Sequence, residues 1–92
     1  MIHSFRHKGL RLFFEEDNSS KLQPHHTEKI RRILYRLDEA NSIDDLNIIG
    51  WNLHQLSGNL KGFWSIKING NWRIIFRFED GVVFDIDYID YH

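Results

Sequence analysis

Two periods divide the chain. Up to about residue 40, apolar residues recur at helical spacing, and in the C-terminal part they alternate. From about His7 to Glu15, Leu10, Phe13 and Phe14 share one helical face. Asp17-Asn18-Ser19-Ser20-Lys21 then reads as a connection. Pro24 stands where a first helical turn tolerates it. Behind it Ile30, Ile33, Leu34 and Leu37 follow an i, i+3, i+4, i+7 pattern, which predicts the clearest helix of the chain, ending near Ala40-Asn41. Ser42-Ile43-Asp44-Asp45 resembles a capping box that opens one short helical turn, with Asp in place of Glu. Ile2 to Phe5 fits a short strand.

The alternating part predicts three half-buried antiparallel strands. Trp64, Ile66 and Ile68 alternate with Ser65, Lys67 and Asn69. Trp72, Ile74, Phe76 and Phe78 alternate with Arg73, Ile75 and Arg77, and Val82, Phe84, Ile86 and Tyr88 with Val83, Asp85, Asp87 and Ile89. A two-residue Asn69-Gly70 turn would split the apolar set between the faces. Three-residue connections at 69–71 and 79–81 keep it together, because a one-residue slip flips a strand. They pair Ile68 with Trp72, Ile66 with Ile74, Phe78 with Val82 and Phe76 with Phe84. The second face then sets Arg73 opposite Asp87, and Arg77 opposite Val83 with Asp85 diagonal. The fold class is α+β: two N-terminal helices on one face of a twisted antiparallel sheet, with a short N-terminal strand.

Composition narrows the function. Ninety-two residues, 41 % of them hydrophobic, make one domain over 1–92. There is no cysteine, hence no disulfide framework and no thiolate chemistry. No apolar run approaches the roughly 20 residues of a membrane span, and the N-terminus lacks the apolar stretch of a signal peptide. The net charge of −1 argues at first against nucleic acid. Its distribution says more: residues 1–36 hold eight Lys/Arg against four Asp/Glu, and residues 37–92 hold four against nine.

Among the histidines, His25 and His26 read as solvent-facing in the first turn of a helix. His3 and His7 lie in the basic N-terminal segment, where structural roles outweigh phosphate contact. His54 stands between Leu53 and Leu56, which can anchor the segment and hold the ring at its edge. His92 follows Asp90 and Tyr91 after a strand whose alternation runs almost to the end, so the terminus is expected to be tied down. His54, Asp90 and His92 are a chemically plausible metal-ligand set. No His-x₃-His or paired-carboxylate motif supports one, and no metal or other cofactor is expected. A Gly-x-Ser-x-Gly elbow is absent, and Gly58-Asn59-Leu60-Lys61-Gly62 lacks P-loop spacing.

The chain resembles the HigB-type toxins of the RelE/ParE superfamily of type II toxin–antitoxin systems. The resemblance is carried by Met1 to Leu10, Leu53-His54-Gln55-Leu56-Ser57-Gly58, Gly62 to Ile66, Asn71-Trp72-Arg73-Ile74 and the terminal Asp90-Tyr91-His92. It implies a cytoplasmic, ribosome-dependent, metal-independent endoribonuclease that cuts mRNA in the A site of the small subunit. It also implies a HigA-like helix-turn-helix antitoxin, with operator DNA bound only through the toxin–antitoxin complex, and no membrane. By the same resemblance His54 and His92 are the acid–base pair. Asp90 orients or tunes a histidine or takes part in proton transfer, and Tyr91 stacks on a base or donates a hydrogen bond; Arg73, on the open sheet face, is the candidate for stabilising the scissile phosphate.

Two departures qualify this reading. Relatives carry a lysine where Ser57 stands; its loss would either lower activity or shift a phosphate contact to Lys61 or Arg73. Toxins of this superfamily are usually basic, so docking on RNA would rest on local patches: Arg6, Lys8, Arg11 and the Lys29/Arg32/Arg36 helix face. Two other readings use the same fold, a ParE-like inhibitor of DNA gyrase and an inactive antitoxin-binding co-repressor. The Asp-Tyr-His terminus together with His54 argues for the nuclease.

Overall fold

A computed structural model describes residues 1–91. Helix α1 covers Lys8–Glu16 and helix α2 Thr27–Glu39. The imidazole of His7 caps α1, its Nδ1 accepting from the Leu10 amide at 3.2 Å. A 3₁₀ turn at Pro24–His26 leads into α2. Another at Ile43–Leu46 follows it, where the Asp45 carboxylate accepts from the Ser42 amide at 3.2 Å, as the capping-box pattern predicts. Four strands form one antiparallel sheet in chain order: β1 His54–Gln55, β2 Trp64–Asn69, β3 Trp72–Glu79 and β4 Val82–Asp90. Both helices lend the core their apolar stripes. Leu10, Ile30, Ile33, Leu34 and Leu37 are buried in one cluster with Ile66, Ile74, Phe76, Val83 and Ile86 of the sheet.

The register corrects the expected loops. Both hairpins turn in two residues, and the odd residue is absorbed by a bulge within the strand. In the first, Asn69 pairs with Trp72 across Gly70-Asn71, a bulge falls at Ile68, and Ile66 faces Ile74 as expected. In the second, Asp80 and Gly81 have φ of 49° and 79°. That left-handed pair matches the twist of the flanking strands. Here the compensating bulge lies further along, at Asp85, whose φ is 55°. Between turn and bulge β4 is therefore flipped. Val83 pairs with Phe78 and is buried, while Phe84 pairs with Arg77. Beyond the bulge Tyr88 pairs with Ile74, Asp87 with Ile75 and Ile89 with Arg73. The expected Arg73–Asp87 and Arg77–Val83 pairs do not form, although Arg77 still reaches Asp85 at 3.7 Å. Gly81→Ala should cost about 1 kcal/mol, because alanine resists this backbone conformation; equilibrium unfolding of the variant checks it.

The segment Ile2–Phe5 makes two isolated parallel bridges, Ile2 with Val83 and Phe5 with Ile86, and forms no continuous strand. It covers the outer edge of β4, which would otherwise present unpaired backbone groups. Ser4 closes the bulge: its Oγ accepts from the Asp85 amide at 2.9 Å.

Candidate active site

Cross-strand partners share a face of a sheet, so the register lays out the side away from the helices. One row runs His54–Ser65–Ile75–Asp87 across all four strands. The next, roughly 7 Å along the strands, runs Lys67–Arg73–Ile89. Ser65 and Ile75, each 1 % exposed, lie between His54 and Asp87 in the first row. The sequence predicts a charged face here. The structure gives it an apolar centre, because Ile75 stands in the polar phase of β3.

His54 is exposed at the free edge of the sheet. Its Nδ1 lies 2.9 Å from the Asn52 carbonyl. A carbonyl only accepts, so Nδ1 carries the hydrogen and the neutral ring presents Nε2 as a base. Arg73 is half-buried. Its Nη1 donates to the Gly70 carbonyl at 2.7 Å and the Trp72 carbonyl at 3.1 Å. These bonds fix the guanidinium against the β2–β3 turn. The Tyr91 amide donates to the Asn71 carbonyl of the same turn at 2.7 Å. The expected anchoring of the terminus thus holds as far as Tyr91, whose side chain is 39 % exposed. Asp90 pairs with Trp72 and so falls on the helix side of the sheet, opposite to the His54 row. His92 lies outside the described residues.

The expected RNA-binding residues are spread over several elements. The guanidinium of Arg6 stands 5.6 Å from the centre of the Phe63 ring, just ahead of β2. Ser57 and Lys61 are exposed on the loop between β1 and β2. Lys8 is exposed on α1, and Arg11 is tied to Glu15 at 3.3 Å. On α2, Arg32 and Arg36 are exposed, whereas Lys29 has a structural use: its Nζ donates to the Ile68 carbonyl at 3.2 Å and the Gly50 carbonyl at 3.4 Å. Burial holds the Lys29 ammonium below the usual lysine range, helped by the charges of Arg32 and Lys67. Among the described residues no three His, Cys, Asp or Glu side chains converge as a metal-ligand set.

His26 overturns its expected exposure. It is 1 % exposed, and its Nδ1 lies 2.6 Å from the Tyr88 hydroxyl. The Trp72 ring crosses it edge-on at 5.6 Å, and Trp72 and Tyr88 lie 4.7 Å apart. Burial lowers the His26 pKa, and the neighbouring His25 lowers it further. Burial raises that of Tyr88 against a hydrogen bond from the Gln23 backbone. The signal was in the spacing, since His26 stands four residues before Ile30 on the apolar stripe of α2. This cluster supports the strand end that carries Asp90, because Trp72 is the register partner of Asp90.

A family model described as RelE-like toxin of the type II toxin–antitoxin system HigB matches residues 3–92. "Endoribonuclease HigB" of Proteus vulgaris is 41 % identical over 92 residues, covering 100 % of both chains. "Toxin HigB-1" of Vibrio cholerae serotype O1 is 39 % identical over 94 residues, covering 100 % of this chain and 98 % of that one. Among solved structures, the heterotetrameric YoeB–YefM toxin–antitoxin complex from Staphylococcus aureus matches with a TM-score of 0.61 at 21 % identity, over 100 % of this chain and 95 % of its counterpart. A second YoeB–YefM complex from that organism gives 0.57 at 22 %, with the same coverage. At such identities these structures speak to the fold alone.

Proposed function

The chain belongs to the HigB-like family of RelE-like toxins of type II toxin–antitoxin systems, and from that membership we propose that it is an endoribonuclease cutting mRNA in the A site of the translating ribosome. The observation that carries the reading is His54. It is exposed, its tautomer is set by the Asn52 carbonyl, and it shares an open sheet face with Arg73. The names of the full-length relatives point the same way, one of them being called an endoribonuclease.

The chemistry uses the RNA's own nucleophile. A base takes the proton of the ribose 2′-OH, and that oxygen attacks the adjacent phosphorus. The bond from phosphorus to the 5′-oxygen breaks, and an acid protonates the departing oxygen. The products are a 2′,3′-cyclic phosphate and a 5′-hydroxyl, with no metal required. His54 and His92 fill the base and acid roles, for which the imidazole side chain is chemically suited. Arg73 faces the charge that develops on the phosphorane, its orientation already fixed by the two carbonyls. Tyr91 stacks on a base of the message. Asp90, on the other side of the strand, acts on the terminal histidine by orientation.

The exposed cations Arg6, Lys8, Lys61, Arg32 and Arg36 meet ribosomal RNA, which makes docking salt-dependent. Arg11 and Lys29 take part at most through their summed field, given their existing partners. A HigA-like antitoxin neutralises the chain, and operator DNA is reached only through that complex. The work place is the cytoplasm, where the ribosomes are; no described helix is long and apolar enough to cross a membrane.

Induced expression should stop growth and leave messages cut at codons inside translated frames. Mapping RNA 5′ ends with and without active translation checks this. Intact messages alongside inhibited DNA gyrase would sink the ribonuclease reading.

A further inference from the structure

Lys67 stands directly opposite Arg73 on the open face. Like charges so placed in a sheet repel and destabilise it. Elsewhere on the same strand the fold avoids this: Arg77 is flanked by Glu79 at 4.0 Å and Asp85 at 3.7 Å. Among the described residues no carboxylate pairs with Lys67 or Arg73. The positive field extends further, since the Lys67 charge also reaches Lys29. Two facing cations left without an acid between them suit an anion that arrives from outside.

The neighbours say which anion. The Lys67 amide donates to the Trp51 carbonyl at 2.8 Å, so residues 51 and 52 run alongside Lys67. The His54 ring is bonded back to the Asn52 carbonyl. It is thereby drawn along the sheet edge towards the Lys67–Arg73 row. Ser65, the register partner of His54, is two residues from Lys67 on the same face. That diagonal separation is within reach of a long side chain. A base, a mobile ammonium and a fixed guanidinium therefore follow one another across β1, β2 and β3. Lysine adds what Arg73 cannot, a point charge on a flexible stem that can follow the phosphate as its geometry changes.

We propose that Lys67 contacts the RNA phosphate at the cut, between His54 and Arg73, and supplies there a second cation for the charge of the phosphorane. The proposal rests on the ribonuclease reading but carries a distinct test. Lys67→Met keeps the stem over the sheet and removes the charge, and Lys67→Arg restores it. Two quantities are measured on ribosomes programmed with a defined mRNA: cleavage rate, and binding to the same mRNA carrying a 2′-O-methyl group at the cut. Lys67→Met should lower kcat/KM about 10- to 100-fold, in the range of losing one electrostatic contact. It should flatten the salt dependence of binding by about 0.7 in the log–log slope. Lys67→Arg should recover most of both. Melting separates function from folding: with a repulsive pair removed, Lys67→Met should melt no lower than the parent chain. Parent-like cleavage and binding by Lys67→Met would overturn the proposal, as would a loss matched by a lower melting temperature and not recovered by arginine. If the parent chain binds but does not cut, the ribonuclease reading fails, and the binding series alone decides for or against the Lys67 contact.

Discussion

Replacing His54 by alanine is expected to slow mRNA cleavage about 10²- to 10⁴-fold, the range for a positioned acid or base, without lowering the melting temperature. The ring is exposed, and among the described residues its hydrogen bond is to the nearby Asn52 carbonyl. Removing it opens no cavity in the cluster between helices and sheet. His92→Ala, or removal of His92, should give a loss of the same order. The double variant should lose little beyond the worse single one, because two groups serving one proton-transfer sequence act as a unit. Single-turnover cleavage by the three variants, each with a thermal melt, checks this. A well-folded His54→Ala chain that cuts at the parent rate would remove His54 from the mechanism.

The second large effect concerns stability. His26→Ala should cost about 2–4 kcal/mol, combining the void left by a buried ring with the lost partner of the Tyr88 hydroxyl. Against a total of about 5–15 kcal/mol for a domain, that is a large share. The same residue predicts a pH dependence. Burial, then His25, holds the folded-state pKa below 6.5. Above 6.5 both states are neutral and the contribution is fully present. As pH falls below 6.5 the unfolded chain takes a proton that the folded chain refuses, so stability is lost until the lower folded value is passed. Melting temperature should therefore drop on acidification from 6.5. His26→Phe, which cannot titrate, should flatten that part of the profile at a smaller cost in stability. A profile unchanged by His26→Phe would show that another group controls it. Loosening this cluster should also reach the site, because Trp72 is paired with Asp90.

Much of this architecture could be read from residue order, and the failures have a common cause. Helix α2 declares itself through Ile30, Ile33, Leu34 and Leu37, and the strands begin at Trp64, Trp72 and Val82 as the alternation predicts. A three-residue loop and a two-residue turn plus a bulge leave the same residues on each face beyond the bulge, so phase alone cannot separate them. At Ile68 the bulge sits beside the turn and Ile66 still meets Ile74. At Asp85 it sits deeper and adds its residue to the later strand, so every pair between turn and bulge is displaced by one and every pair beyond it by two. The Asp80-Gly81 dipeptide was the available sign of a two-residue turn. Among the candidate site residues, the exposed position of His54 and the ordered approach to the terminus are legible from their apolar flanks. The facing of Lys67 and Arg73 follows from the expected pairing of Ile66 with Ile74, which the structure keeps; the placing of His54 beside them does not, because it depends on a β1–β2 pairing that no local pattern specifies. His26 escapes the pattern because histidine tolerates both water and core, and the unbroken apolar stripe of α2 begins only at Ile30.

The covering of β4 by residues 2–5 bears on how the protein is made. Ile2 must find Val83, and Ser4 must find the Asp85 amide 81 positions away. Contacts so distant along the chain form late, since the closure entropy of almost the whole domain precedes them. A ribosome synthesising this chain releases its first residues long before their partner strand exists. The sheet edge can close, and with it the platform under His54, Lys67 and Arg73, only when translation of the domain is nearly complete. Whatever chemistry that face performs is withheld from the nascent chain until its last strand has been made.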